Sequence, residues 1–217
     1  MIYNEYSFEI YLRLLNKKVA LPEFEKFSNG GQFPFPHIPA GNIKAIILGA
    51  DPTNPAKDKI EYVFDLNPDA SRRNRQYSWI IESNLNSIGL TWDNVYAQNL
   101  CKNYFNDVTS KQKSNWLLAS KVWLEELRHE LDIVRGISQN IPILATTNYI
   151  TMAMIKLPGL YQEPATYYGK EHRIHVPLHA DQCELERPLI PFYRSTRYYL
   201  KNKKRTAYRE YISSLIK

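Results

Sequence analysis

Residues 43–48 read Ile-Lys-Ala-Ile-Ile-Leu and stop at Gly49. A run this short and this apolar predicts a central strand buried on both faces, which only helices packed on either side of a sheet can supply. The same pattern recurs at residues 94–99, 141–145 and 173–178, giving four expected strands.

Between them, residues 77–88 space their apolar positions helically, and residues 114–131 carry Leu117, Leu124, Leu127 and Leu131 with Trp116 and Trp123 alongside. Residues 147–155 fit a third, shorter helix, and residues 4–17 a helix with one buried face. Residues 28–41 collect Gly30, Gly31, Pro34, Pro36, Pro39 and Gly41, the make-up of a connector. Strands alternating with helices predict an α/β three-layer sandwich with a central, mostly parallel four-stranded sheet flanked by helices. A chain of 217 residues suits one such domain, 1–217.

The first 15 residues interrupt their apolar positions with Asn4, Glu5, Glu9 and Arg13, unlike a signal peptide, and no stretch is apolar enough to span a membrane. Two cysteines, Cys101 and Cys183, build neither a disulfide framework nor a four-cysteine metal or iron–sulfur site. A cytoplasmic, membrane-free and monomeric protein with no obligatory protein partner is expected.

The net charge of +6 is concentrated at one end. Residues 187–217 hold nine Lys or Arg against the single acid Glu210, whereas the preceding residues hold 19 bases and 21 acids. Phe192, Tyr193, Tyr198, Tyr199, Tyr208 and Tyr211 interleave with those bases, a mixture suited to neutralising phosphates and stacking on bases. The plainer reading is an amphipathic terminal helix whose lysines face water.

Ligands of open α/β sheets bind outside the carboxyl ends of the strands. There the sequence places Gly49, Ala50, Asp51, Pro52, Thr53 and Asn54 after the first strand, Asn99 after the second, residues 146–148 after the third and His179 after the fourth. A carboxylate aimed by a glycine turn can orient water or stabilise a developing cation, and a histidine can hydrogen-bond a developing anion. Singly, each residue has a structural reading: Asp51 caps a turn, Phe64 is core, Asn99 ends a strand, His179 sits in a loop. The ordered set points to a site. No Gly-x-Ser-x-Gly elbow, phosphate loop or Gly-x-Gly-x-x-Gly fingerprint competes with it.

This set resembles the uracil-DNA glycosylase superfamily. Gly49-Ala50-Asp51-Pro52 is similar to the family's Gly-x-Asp-Pro motif; Phe64, 13 residues after Asp51, stands where the family stacks a phenylalanine on the extruded base. Asn99 resembles the asparagine that reads the base edge, and His179 the histidine of the second motif. The resemblance implies a DNA glycosylase that flips out uracil or a related deaminated base. Asp51 and His179 would be catalytic, with Gly49, Ala50, Pro52, Thr53, Asn54, Phe64 and Asn99 binding the substrate. It requires neither a metal nor an organic cofactor. DNA carrying the damaged base would lie across Arg187, Arg194, Ser195, Arg197, Lys201, Lys203, Lys204 and Arg205.

Thr53 and Asn54 follow Pro52 where the best-known branch has tyrosine and histidine, so the side chain that excludes thymine is missing. The second motif reads His179-Ala180-Asp181-Gln182, with an acid where that branch clamps phosphate. These departures keep a second expectation open, a module of the same fold that binds nucleic acid or a nucleobase without efficient catalysis. A third is an unrelated α/β enzyme or small-molecule binder.

Overall fold

In a computed structural model, residues 28–29, 34–53, 60–66 and 76–216 are described. The helix expected at residues 4–17, and Asn54, lie outside them. Four parallel strands form the central sheet: β1 (Ala45–Gly49), β2 (Val95–Asn99), β3 (Ile143–Ala145) and β4 (Leu189–Pro191), in the order β2-β1-β3-β4. Every residue of these strands is buried. The helices are α1 (Gln76–Ser87), α2 (Lys113–Ile133), α3 (Asn148–Met154), α4 (Pro164–Tyr167), α5 (His172–His175) and α6 (Thr206–Leu215). The architecture is the expected α/β sandwich with a parallel central sheet.

Register follows from burial. Ile46 pairs with Tyr96, Leu48 with Gln98 and Gly49 with Asn99, so Tyr96 and Gln98 point to one face and Asn99 to the other. On the first face α2 brings in Glu130, whose carboxylate accepts from Tyr96 Oη, from Gln98 Nε2 at 2.9 Å and from Lys102 Nζ. Trp116 and Trp123 of α2 are wholly buried, and Trp123 Nε1 donates to Asn103 Oδ1 at 2.7 Å, so both tryptophans belong to the core.

The strand expected at residues 173–178 is corrected. His172–His175 is a helical turn, Ile174 is 76% exposed, and the fourth strand is Leu189–Pro191. Pro177 has no N–H to offer a ladder, and residues 172–175 ahead of it close a helical turn instead of extending. Leu178 makes only an antiparallel bridge, exchanging two 2.9 Å hydrogen bonds with Leu189. Pro191 ends β4 at the other side of the sheet from β2, and its carbonyl accepts from Tyr168 Oη at 3.1 Å and Tyr208 Oη at 2.5 Å.

The strand order also fixes where a ligand fits. The chain leaves β1 for β2 on one side and returns to β3 on the other, so the connections diverge at the carboxyl end of β1 and open a crevice there.

Candidate active site

Past the strand ends the ladder continues as single hydrogen bonds. Leu100 N donates to Gly49 O at 2.7 Å and Cys101 N to Ala50 O at 2.9 Å. On the far side Phe192 N donates to Ala145 O at 2.8 Å and Arg194 N to Thr146 O at 3.0 Å. These bonds bring the residues after β1, β2 and β4 to one rim. The cleft between them is lined by Asp51, Thr53, Phe64, Asn99 and Arg194, with Gly49, Ala50, Pro52, Ile60 and Asp65 completing its walls.

Asp51 is fixed at both carboxylate oxygens. Oδ1 accepts from Thr53 N at 2.9 Å and Oδ2 from Thr109 Oγ1 at 2.5 Å. Thr53 is held in turn, its hydroxyl accepting from Phe105 N at 2.8 Å. Burial raises the Asp51 pKa above its ordinary value, while the Thr109 and Thr53 hydrogen bonds and the Arg194 charge oppose that rise. The neighbouring Cys101 thiol is raised by its own burial and by the Asp51 charge, so it is no nucleophile at neutral pH.

Gly49 is required by its neighbours. A Cβ there would lie 2.2 Å from Asn99 Oδ1 and 2.9 Å from Phe64 Cζ, so the missing side chain lets the amide and the ring close over the strand end. Phe64 reaches this position at a cost. It has φ 57° and Asp65 φ 58°, and two consecutive left-handed residues other than glycine are rare and strained. The loop is held from behind by Tyr104 Oη, which accepts from Ile60 N at 2.8 Å and donates to Ile60 O at 3.1 Å. Trp92 approaches the Phe64 ring at 6.3 Å between centroids.

The cleft, open to solvent on one side, has a volume of ≈ 40 Å³, against about 150 Å³ for a closed protein cavity that takes up benzene.

Gly49, Ala50, Asp51, Pro52, Thr53, Phe64 and Asn99 therefore line one cleft. His179 does not join them. It is exposed, ahead of a short turn at Ala180–Gln182, and is not among the residues that line the cleft. Because β4 is Leu189–Pro191, the residues that follow the last strand are 192–194, and Arg194 holds the place expected for the histidine. Sequence reading missed Thr109, Asp65 and Ile60; Thr109 lies 58 residues from its partner, with no local signal to link them.

The basic segment divides. Arg194, Ser195, Arg197, Lys201, Lys203 and Lys204 are exposed. Arg187 is 3% exposed, donates to Ser138 O and faces Asp132 at 3.7 Å, so it is structural and withdrawn from any phosphate. Arg205 is half-buried, donates Nη1 to Tyr168 O at 2.9 Å and stands over the Tyr168 and Tyr198 rings at 5.7 and 5.5 Å. It pins the segment to the fold.

Among the described residues no helix is long and apolar enough to cross a membrane. Comparison with protein-family models and with curated proteins finds no match.

Proposed function

We propose that the cleft at the carboxyl end of β1 receives an extruded DNA base and that Asp51 promotes hydrolysis of its N-glycosidic bond. The observation that carries this reading is the meeting of Asp51, Phe64 and Asn99 around Gly49. An aromatic face, an amide with both a donor and an acceptor, and a fixed carboxylate are the three elements that recognising and releasing a planar base requires.

In this reading the base stacks on Phe64 and pairs its edge with the Asn99 amide. Breaking the bond leaves positive charge on the sugar and negative charge on the base. The Asp51 carboxylate stabilises the sugar cation, positions a water against C1′ and takes its proton. The bond electrons leave with the base, and solvent protonates the departing anion. Arg194 supplies the positive charge facing that anion, the role the sequence had suggested for His179.

The test is alkaline strand scission of labelled oligonucleotides carrying uracil, hypoxanthine or a thymine mismatch, with Asp51→Asn beside the parent. Breaks made by the parent and lost in Asp51→Asn support excision and name the base. No breaks on any substrate would sink it.

One observation favours a second reading, a binding module of the same fold. Both Asp51 oxygens already accept hydrogen bonds, and no histidine is among the described residues that line the cleft. That reading expects DNA or base binding that survives Asp51→Asn, with no product from either protein.

A further inference from the structure

Trp79 is 56% exposed, an unusual position for the largest apolar side chain, and it is not left to wander. Its ring stacks on Tyr199, centroids 5.9 Å apart and planes 29° from parallel. Tyr199 is anchored to the same helix, its hydroxyl sharing a 2.7 Å hydrogen bond with Ser83 Oγ. One residue on, Leu200 N donates to Asn84 Oδ1 at 2.9 Å. Residues 79, 83 and 84 of α1 thus fasten the 199–200 segment against one helix face and hold the tryptophan as its outermost layer.

The segment so fastened is the basic one. Arg194 lines the cleft, and exposed Arg197, Lys201, Lys203 and Lys204 continue from it on either side of Tyr199. No Asp or Glu occurs between residues 187 and 209. Ser195 and Asn202 cap the two tight turns that carry these bases, accepting from Arg197 N at 3.3 Å and Lys204 N at 3.0 Å, so the strip is preorganised. A row of cations flanking a rigid, exposed aromatic face suits a polyanion with its own flat rings.

We propose that Trp79, backed by Tyr199, is a stacking platform for an unpaired DNA base outside the cleft, with the basic strip tracking the adjoining phosphates. The proposal deepens the nucleobase reading of the cleft by assigning single-stranded DNA as the ligand of the neighbouring surface, but it needs no bond to be cleaved. A duplex keeps its base faces covered, so the platform favours single-stranded or opened DNA.

The experiment is fluorescence anisotropy with two labelled, undamaged probes of equal charge, a 15-mer of thymidylate and a 15-mer of abasic deoxyribose phosphate. The parent, Trp79→Ala and Trp79→Phe are compared at several salt concentrations. The parent is expected to bind the thymidylate probe about tenfold tighter than the abasic one, the size of one base–aromatic stack. Trp79→Ala should erase that difference while leaving abasic binding and the salt slope unchanged; Trp79→Phe should restore most of it. Excision that fails in the parent while both probes still bind overturns the reading of the cleft and leaves this proposal standing. Equal losses on both probes, no loss in Trp79→Ala, or no binding of either probe would overturn it. So would self-association of the parent that Trp79→Ala abolishes, since a second protein would then be what covers the ring.

Discussion

Thr109 Oγ1 donates to Asp51 Oδ2 at 2.5 Å, joining the turn after β2 to the carboxylate at the end of β1. The bond favours the charged form of a carboxyl group that burial pushes the other way. If Asp51 must be ionised to act, the acid limb of the rate profile lies above the ordinary aspartate value of 3.8. Thr109→Val removes an opposing interaction, so its acid limb moves further up. Base-excision rates across pH 4–8, run for both proteins, should show a loss that is larger at the acid end. A uniform loss at all pH values would mean that Thr109 only supports the turn. The stability sign is opposite: the folded chain holds the Asp51 proton to higher pH than the unfolded one, so that contribution is present below pH 3.8 and lost as pH rises through the folded value.

Gly49→Ala is expected to fold and to fail at the site. The added methyl would overlap Asn99 Oδ1 and crowd Phe64, both of which close the cleft. The amide and ring must swing away, so base recognition falls while the Asp51 hydrogen bonds remain. A rise in KM with a smaller change in kcat, at a melting temperature within a few degrees of the parent, checks this. A collapse in melting temperature would show that the glycine serves the sheet more than the site.

How much of this was legible follows from what each residue depends on. Residues 43–49 declare a buried strand because burial on both faces leaves no choice of composition, and Asp51 inherits its place from that strand. Phe64 and Asn99 were readable as members of an ordered set. The fourth strand was not, because Val176 and Leu178 are apolar for a different reason: they pack inward from a segment that opens with a helical turn. Once that strand is moved to Leu189–Pro191, His179 leaves the site and Arg194 enters it. Arg187 and Arg205 look like their exposed neighbours in sequence; only the Ser138 and Tyr168 carbonyls that receive them mark them as structural.

The buried charges beside the site are expected to carry stability. Lys102 and Glu130 are 5% and 2% exposed at their side chains, and Glu130 also accepts from Tyr96 and Gln98. Burial draws the Lys102 ammonium down to about 7, against the opposing charge of Glu126. Removing one partner strands the other, so Glu130→Ala should cost about 3–5 kcal/mol. The double variant Lys102→Met with Glu130→Leu should cost less than the two single changes together. Urea unfolding of the parent, Glu130→Ala, the two single changes of the cycle and the double variant decides it. Gln98 Oε1 accepts from Asn99 N at 2.9 Å, so the same cluster steadies Asn99 at the cleft.

The sharpest comparison is between His179 and Arg194. A histidine at the end of the last strand would stabilise the leaving base, but His179 is exposed and outside the cleft, while Arg194 lines it and its charge opposes the rise of the Asp51 pKa. His179→Ala is therefore expected to leave excision within about twofold of the parent. Removing a preorganised partner of a developing anion typically costs about 2.7–4 kcal/mol, or about 10²–10³ in kcat, and Arg194→Ala should fall in that range. Arg194→Lys keeps the charge without the fork of donors and should recover only part of the rate. Single-turnover rates at saturating enzyme separate this from weakened DNA binding, because a residue that only gripped phosphate would change affinity and leave the bound rate intact. If His179→Ala abolishes the reaction and Arg194→Ala does not, the anion is held from another direction and the geometry proposed for the bound base is wrong.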